Sequence, residues 1–121
     1  MQKRIFLIFL IGMSLNSFGQ KIPSIKSVNF IQEGEVSKLI IDLTDHVVVD
    51  KKHIKNDKQI ILDLKNVVAD SKFMRGVDTS EFSGATVYIS PYKKPGSKND
   101  LRFAIQLRDN VRSFIENKGS R

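Results

Sequence analysis

The chain has 121 residues, no cysteine, and 20 lysines and arginines against 13 aspartates and glutamates, which gives a net charge of +7 at pH 7. This length fits one domain, and the lack of cysteine excludes a disulfide framework, a cysteine zinc site and a lipid-carrying cysteine. The positive charge favours anionic partners without defining a specific site.

The first 20 residues have the pattern of a signal peptide. Residues 1–4 are basic, an apolar run follows at residues 5–15, and Ser17 and Gly19 have the small-residue spacing of a signal-peptidase site. The run of 11 residues is shorter than the roughly 20 that span a bilayer, so a retained membrane anchor is the weaker interpretation. We expect cleavage after Gly19 or Gln20, export to the periplasm or cell envelope, and no membrane span afterwards.

Loss of the leader removes Lys3 and Arg4 and no acid, which lowers the net charge from +7 to +5. Outside the cytoplasm, the anionic partners are phosphate-bearing polymers, lipid head groups and the carboxylates of peptidoglycan stem peptides. A nucleic-acid partner is therefore not expected.

Apolar and polar residues alternate with a period of two from residue 25 onward, which is typical of half-buried strands. The short strands, the regular turn signals and the lack of an amphipathic helix favour a sandwich or a curled sheet. We predict that residues 21–121 form an all-β, compact β-sandwich of short, mostly antiparallel strands. The alternating segments are residues 27–30, 38–43, 47–52, 59–64, 87–89, 101–107 and 111–116.

The connections have distinct turn signals. Asn56-Asp57 predicts a hairpin turn, and residues 91–100, with two prolines, a glycine and three lysines, predict an exposed, mobile hairpin loop. Residues 67–84 are expected to carry the chain from one sheet to the other, with a turn of helix at residues 71–75. Residues 117–120 predict a last turn.

The nearly repeated phrases KLIIDL and QIILDL place Asp42 and Asp63 on the polar phase of two strands. Paired carboxylates could perform acid–base catalysis, but solvated side chains that limit sheet aggregation are the simpler interpretation. His46 and His53 match no zinc spacing, and no serine lies in a G-x-S-x-G elbow. We expect no enzyme, no metal and no cofactor.

The mature sequence resembles the AMIN domain, which stands at the front of type IV pilus secretins and of periplasmic amidases that cut peptidoglycan. The resemblance lies in the order of four segments: SVNFIQEGEVSKLIIDLTDHVVVD, KQIILDLKNVV, FMRGVDTSEFSGATVYIS and LRFAIQLRDNVRSFIENKGSR. It implies a β-sandwich that binds peptidoglycan, has no activity of its own and localises an attached machine. The family often has threonine-arginine where this chain has Ser37-Lys38, whereas Arg102 matches an arginine of a later strand.

The expected peptidoglycan-binding residues face away from the apolar rows of their strands. Their cations would meet stem-peptide carboxylates while an exposed sheet edge pairs with the peptide backbone. Tyr88 and Tyr92 are the rings placed to contact sugars. The alternative function is an envelope assembly protein that binds a secretin or another envelope protein through its sheet edges. The predicted binding residues are Lys38, Asp42, Tyr88, Arg102, Gln106 and Arg108.

The end of the sequence suggests a missing strand. A hairpin turn at residues 117–120 needs a return strand, and the family resemblance places an aliphatic strand beside residues 111–116. We therefore expect a domain that lacks its last strand and leaves a partly apolar edge open.

Overall fold

A computed structural model describes residues 6–13 and 22–119. The predicted cleavage position, after Gly19 or Gln20, lies outside these residues. The strands are β1 (Phe6–Met13), β2 (Ile25–Glu33), β3 (Val36–Leu43), β4 (Val49–Ile54), β5 (Gln59–Leu64), β6 (Val77–Asp78), β7 (Thr86–Lys93), β8 (Leu101–Leu107) and β9 (Arg112–Gly119).

The strands form two sheets. Sheet I has the order β2-β3-β1-β9, and sheet II has the order β4-β5-β8-β7-β6. Neighbours in sheet II are antiparallel, as are β2 and β3, whereas β1 runs parallel to both β3 and β9. The predicted all-β fold with mostly antiparallel strands is confirmed.

One hydrophobic core contains side chains from both sheets. In β3, each residue from Ser37 to Leu43 alternates between buried and half-buried, because successive side chains of a strand point to opposite faces. The prediction of which β3 side chains face the core and which face outward is therefore confirmed. The largest fully buried side chains are Phe9, Phe103, Leu7, Ile11, Leu39, Ile41, Leu43, Ile60, Leu62, Leu64, Ile89 and Ile105.

Strand β1 lies inside the predicted signal peptide and is an interior strand of sheet I. Leu7, Phe9 and Ile11 are at most 1% exposed and belong to the core, while Ile8 and Leu10 are half-buried on the other phase. An apolar run of this length suits the centre of a signal peptide and also suits a strand between two others. The structure includes this segment as a strand of sheet I. It does not test export, which stays a prediction.

Two connections within sheet II are hairpins close to the predicted positions, although the second loop spans only residues 94–100 because β7 continues through Pro91, Tyr92 and Lys93. A 3-10 helix at Lys55–Asp57 joins β4 to β5, and Lys58 follows with a left-handed φ of +51°. Strands β7 and β8 pair as neighbours, and Gly96 between them has a φ of +80°, which glycine adopts without strain.

Residues 67–84 do not carry the chain between sheets, so that expectation is wrong. Strands β5 and β7, which precede and follow this segment, both belong to sheet II, with β8 between them. The segment contains β6, at the edge of the sheet beyond β7, so the chain passes both β8 and β7 before it turns back into β7, which explains its length. The expected helical turn is present as a 3-10 helix at Ser71–Phe73.

The predicted turn at residues 117–120 is also wrong for its described part. Strand β9 continues through Gly119, because its backbone stays paired with β1 from Phe6↔Arg112 to Met13↔Gly119. Ile115 packs against the core and Phe114 is 47% exposed, as the alternation predicts. Strand β1 pairs with one side of β9, which is the edge strand of sheet I, so the expectation of a missing strand beside β9 stays a prediction.

Truncation of Phe9 tests whether β1 is part of the core. Phe9→Ala in the 121-residue chain should lower the free energy of unfolding by about 3–5 kcal/mol, because it empties a fully buried site. Leu10→Ala, on the half-buried phase of the same strand, should cost less than half as much. Urea denaturation measures both, and equally small losses would show that β1 lies outside the core.

Candidate binding face

The outer face of sheet II consists of three cross-strand rows. Residues directly opposite one another in an antiparallel pair share a face, so the strand register defines the rows. The first row is Asp50, Asp63, Arg102 and Tyr92; the middle row is Lys52, Ile61, Ala104 and Ser90; the third row is Ile54, Gln59, Gln106, Tyr88 and Asp78.

A bidentate ion pair occupies the first row. Arg102 Nε donates to Asp63 Oδ1 at 2.8 Å and Nη2 donates to Oδ2 at 3.2 Å, while Lys94 Nζ lies 3.7 Å from Oδ2. The Asp63 side chain is 14% exposed. This fork geometry is among the stronger charge-assisted interactions, and it commits the guanidinium of Arg102 to a partner within the protein.

The ion pair fixes the charge of both groups. The hydrogen bond from Arg102, which outweighs partial burial, lowers the pKa of Asp63, with smaller contributions from the charges of Arg102, Lys94 and Lys65. The hydrogen bond to Asp63 raises the pKa of Arg102 further, and Tyr92 contributes a second, smaller hydrogen-bond effect. Both partners are therefore ionised at neutral pH.

Apolar atoms lie between the two polar rows. Ile61 and Ala104 are each 8% exposed although they lie on the outer face. Tyr88 and Tyr92 are 41% and 36% exposed. The Tyr88 ring lies against Gly76, where an added Cβ would overlap the tyrosine hydroxyl, so this glycine makes room for the ring.

A shallow groove lies at the Lys93↔Leu101 end of sheet II. Its volume is about 240 Å³ and its lining combines apolar side chains with two lysines: Val67, Val68, Ala69, Met74, Lys93, Lys98, Asn99, Asp100 and Leu101. Asp100 accepts a hydrogen bond from the backbone N–H of Asn66 at 2.8 Å, which lowers its pKa. The lysines make this end of the sheet cationic.

Two further residues predicted to bind peptidoglycan hold loops in place. Arg108 Nη1 donates to the carbonyl of Gly84, and its Nη2 donates to the carbonyl of Ser80 at 3.2 Å. Gln106 Nε2 donates to the carbonyls of Asp57 and Lys58, each at 3.1 Å. The sequence predicted the exposure of these side chains and could not reveal their internal partners.

Lys38 and Asp42 lie on the outer face of sheet I. Lys38 Nζ is 2.5 Å from Glu33 Oε1, and Asp42 accepts a hydrogen bond from Ser27 Oγ at 2.7 Å. Because the two outer faces of a sandwich point in opposite directions, these residues and those of sheet II do not form one surface. Asp42 and Asp63 do not converge either, for the same reason.

The strand order also bears on the expected edge pairing. Lys38 and Arg102 lie on β3 and β8, which are interior strands of their sheets. A peptide paired with the outer edge of β2 would be separated from Lys38 by one strand, and a peptide paired with the outer edge of β4 would be separated from Arg102 by two. Since Lys38 and Arg102 also lie in different sheets, a peptide bound at one sheet edge does not meet both charges.

The sequence placed Asp63 on the polar phase but did not reveal its ion pair with Arg102, and Ile61 and Gly76 were not predicted as members of this face. The one available signal was the apolar residue on the otherwise polar phase of β5, in QIILDL, which interrupts the alternation at Ile61. The contact between Gly76 and Tyr88 depends on β6 pairing with β7, which no sequence pattern indicates.

Among residues 6–13 and 22–119, no group of three or more potential metal-ligating side chains converges. His53 shares a hydrogen bond of 3.0 Å with Asn110 Oδ1. In the same ranges, no helix has the length and apolar character needed to cross a bilayer.

Comparisons with known proteins give no match to a family model, to a curated protein or to a solved structure. The resemblance to the AMIN domain therefore remains a prediction from the sequence pattern.

Removal of the Asp63 carboxylate should change the acid dependence of stability. Because the folded-state pKa of Asp63 is lowered below 3.8, its contribution is present above that pH and is lost as pH falls through the folded value. Asp63→Asn should destabilise the chain at pH 7 and make its free energy of unfolding fall less steeply below about pH 4. Urea denaturation at several pH values measures this, and parallel curves for both proteins would contradict it.

Proposed function

We propose that this chain is an exported, non-catalytic module that binds peptidoglycan and localises an associated machine in the cell envelope, and that it binds through the outer face of sheet II. The observation that carries the proposal is the combination of two exposed tyrosine rings on this face with lysines at one end of the sheet: Lys94 beside Asp63, and Lys93 and Lys98 in the adjoining groove. The signal-peptide pattern and the AMIN resemblance support export and the choice of polymer.

The two tyrosines suit an extended ligand. Tyr88 and Tyr92 are four residues apart on β7, which places them about 13 Å from each other on the same side of the strand. At that separation, the rings would contact different units of a polymer. Each ring combines an apolar body with a polar tip, which suits the faces and hydroxyls of sugars.

The charged groups suit the peptide part of peptidoglycan. Lys94 lies beside the Asp63–Arg102 pair, and Lys93 and Lys98 line the groove at the same end of the sheet. Carboxylates of stem peptides would approach these lysines, whereas Arg102 keeps Asp63 in position. The ion pair presents polar atoms to the ligand at fixed positions. Arg102 does not bind the ligand's carboxylate itself, because its guanidinium already binds Asp63.

The machine localised in this way would be a secretin-like or amidase-like protein of the envelope, as the resemblance implies.

The position of β1 favours a second candidate function, in which another envelope protein binds to this chain by supplying a strand to sheet I.

Sedimentation with protein-free sacculi tests the proposal. Protein purified from the envelope of a cell that exports it should start at Gln20 or Lys21 by intact mass, and should sediment with sacculi. The bound fraction should fall as salt rises from about 0.1 to 1 M, since the screening length drops from about 10 to 3 Å. Equal sedimentation with and without sacculi would exclude peptidoglycan binding.

Three variants locate the binding face. Tyr88→Ala removes a ring, and Gly76→Ala displaces the same ring at little cost, because the far end of a side chain can move. Both should reduce the bound fraction severalfold. Phe114→Ala is the matched control, since it removes a similarly exposed ring from sheet I. Equal loss in all three variants would show that binding does not use the outer face of sheet II.

A further inference from the structure

Strand β1 fills a position one strand wide between β3 and β9. It pairs with eight residues of β3, from Val36 to Leu43, and with eight residues of β9. Neighbouring strands are about 4.8 Å apart, so β3 and β9 are roughly 10 Å apart across this position. Without β1, a row of backbone N–H and C=O groups on each strand would lose its partners.

The same position also completes the core. Leu7, Phe9 and Ile11 are at most 1% exposed and contribute three large apolar side chains at every second residue. Loss of β1 would leave a void of that size, and unfilled core volume is strongly destabilising. The position therefore requires an occupant with apolar side chains at alternate residues.

Strand β9 is held by contacts that do not involve β1. Lys51 Nζ of β4 donates to the carbonyl of Ser113 at 2.7 Å and lies 2.8 Å from its Oγ. Asn110, just before β9, donates to the carbonyl of Lys55 at 3.1 Å and shares a hydrogen bond with His53. These contacts attach the start of β9 to sheet II and oppose a movement of β9 towards β3.

Residues 6–13 belong to the segment that signal cleavage would remove. We propose that the exported chain is a strand acceptor: in place of β1, it binds an extended apolar segment of a partner protein, running parallel to β3 and β9. This inference rests on the removal of the leader in the proposed function, and it does not depend on peptidoglycan binding.

The structure specifies the chemistry of that segment. It is about eight residues long and has large aliphatic or aromatic side chains at three alternate positions, as in Leu7, Phe9 and Ile11. It has no proline in its middle, because both of its edges are hydrogen-bonded. The other phase tolerates polar residues, since Leu10 lies opposite Glu116 of β9 and is half-buried. Addition of such a strand is a known mode of peptide recognition.

Strand exchange tests the proposal with the full chain. A specific protease site is introduced within residues 14–20, the folded protein is cut, and a fluorescent peptide FLIFLIGM with flanking lysines is added. We expect the peptide to replace the cut fragment and to comigrate with the remaining chain in size-exclusion chromatography. If the chain loses structure when the fragment leaves, the peptide should restore its β-sheet circular dichroism.

Two matched peptides test the alternation. A peptide with Phe9→Lys should bind at least about 100-fold more weakly, because the lysine would be buried without a partner. A peptide with Leu10→Lys should bind within about tenfold of the original, since this position faces outward beside Glu116. Equal binding of both peptides would overturn the proposal.

Other outcomes are also decisive. If the cut chain stays folded and monomeric and takes up no peptide, the gap closes by itself and the proposal is wrong. If it dimerises and the peptide does not dissociate the dimer, the occupant is a second copy and the proposal is again wrong. A failure to bind sacculi would leave these results unchanged, so the two proposals can fail separately.

Discussion

The pairing of β1 with both β3 and β9 is the interaction on which sheet I depends. The backbone N–H and C=O groups of a strand pair with those of its neighbours, and β1 pairs along its whole length with both β3 and β9. The same eight residues supply Phe9 and its inward neighbours to the core. Strand β9 extends to Gly119 because its backbone pairs with β1 up to that residue.

Sheet II is organised differently. Its strands are joined by antiparallel pairs, and cross-strand side-chain contacts such as Asp63 with Arg102 reinforce them on the outer face. That ion pair and the two tyrosines flank Ile61 and Ala104 and leave these apolar side chains little exposed. The two sheets therefore differ: side-chain contacts fix the outer face of sheet II, whereas sheet I contains β1, whose residues lie within the predicted signal peptide.

The sequence predicted the features that depend on local alternation and turn chemistry. The strand phases around Ile41 and Phe114 and the hairpin at Asn56 were right, because period-two patterns and turn residues act over a few residues. The place of residues 6–13 could not be predicted, since one apolar run suits both a signal peptide and an interior strand. The internal partners of Arg102 and Arg108 depend on strand register and loop position, which the chain sets only when it folds.

Hydrogen exchange at the amides of Leu7 to Ile11 in the intact 121-residue chain tests the central claim most directly, namely that β1 is an integral strand of sheet I. We predict protection as strong as that of the amides of Ile60 to Leu64 in sheet II, because both segments are paired on two sides and open only with the fold. Exchange of the β1 amides at the rate of an unstructured peptide, while the amides of Leu39 to Leu43 stay protected, would contradict the account.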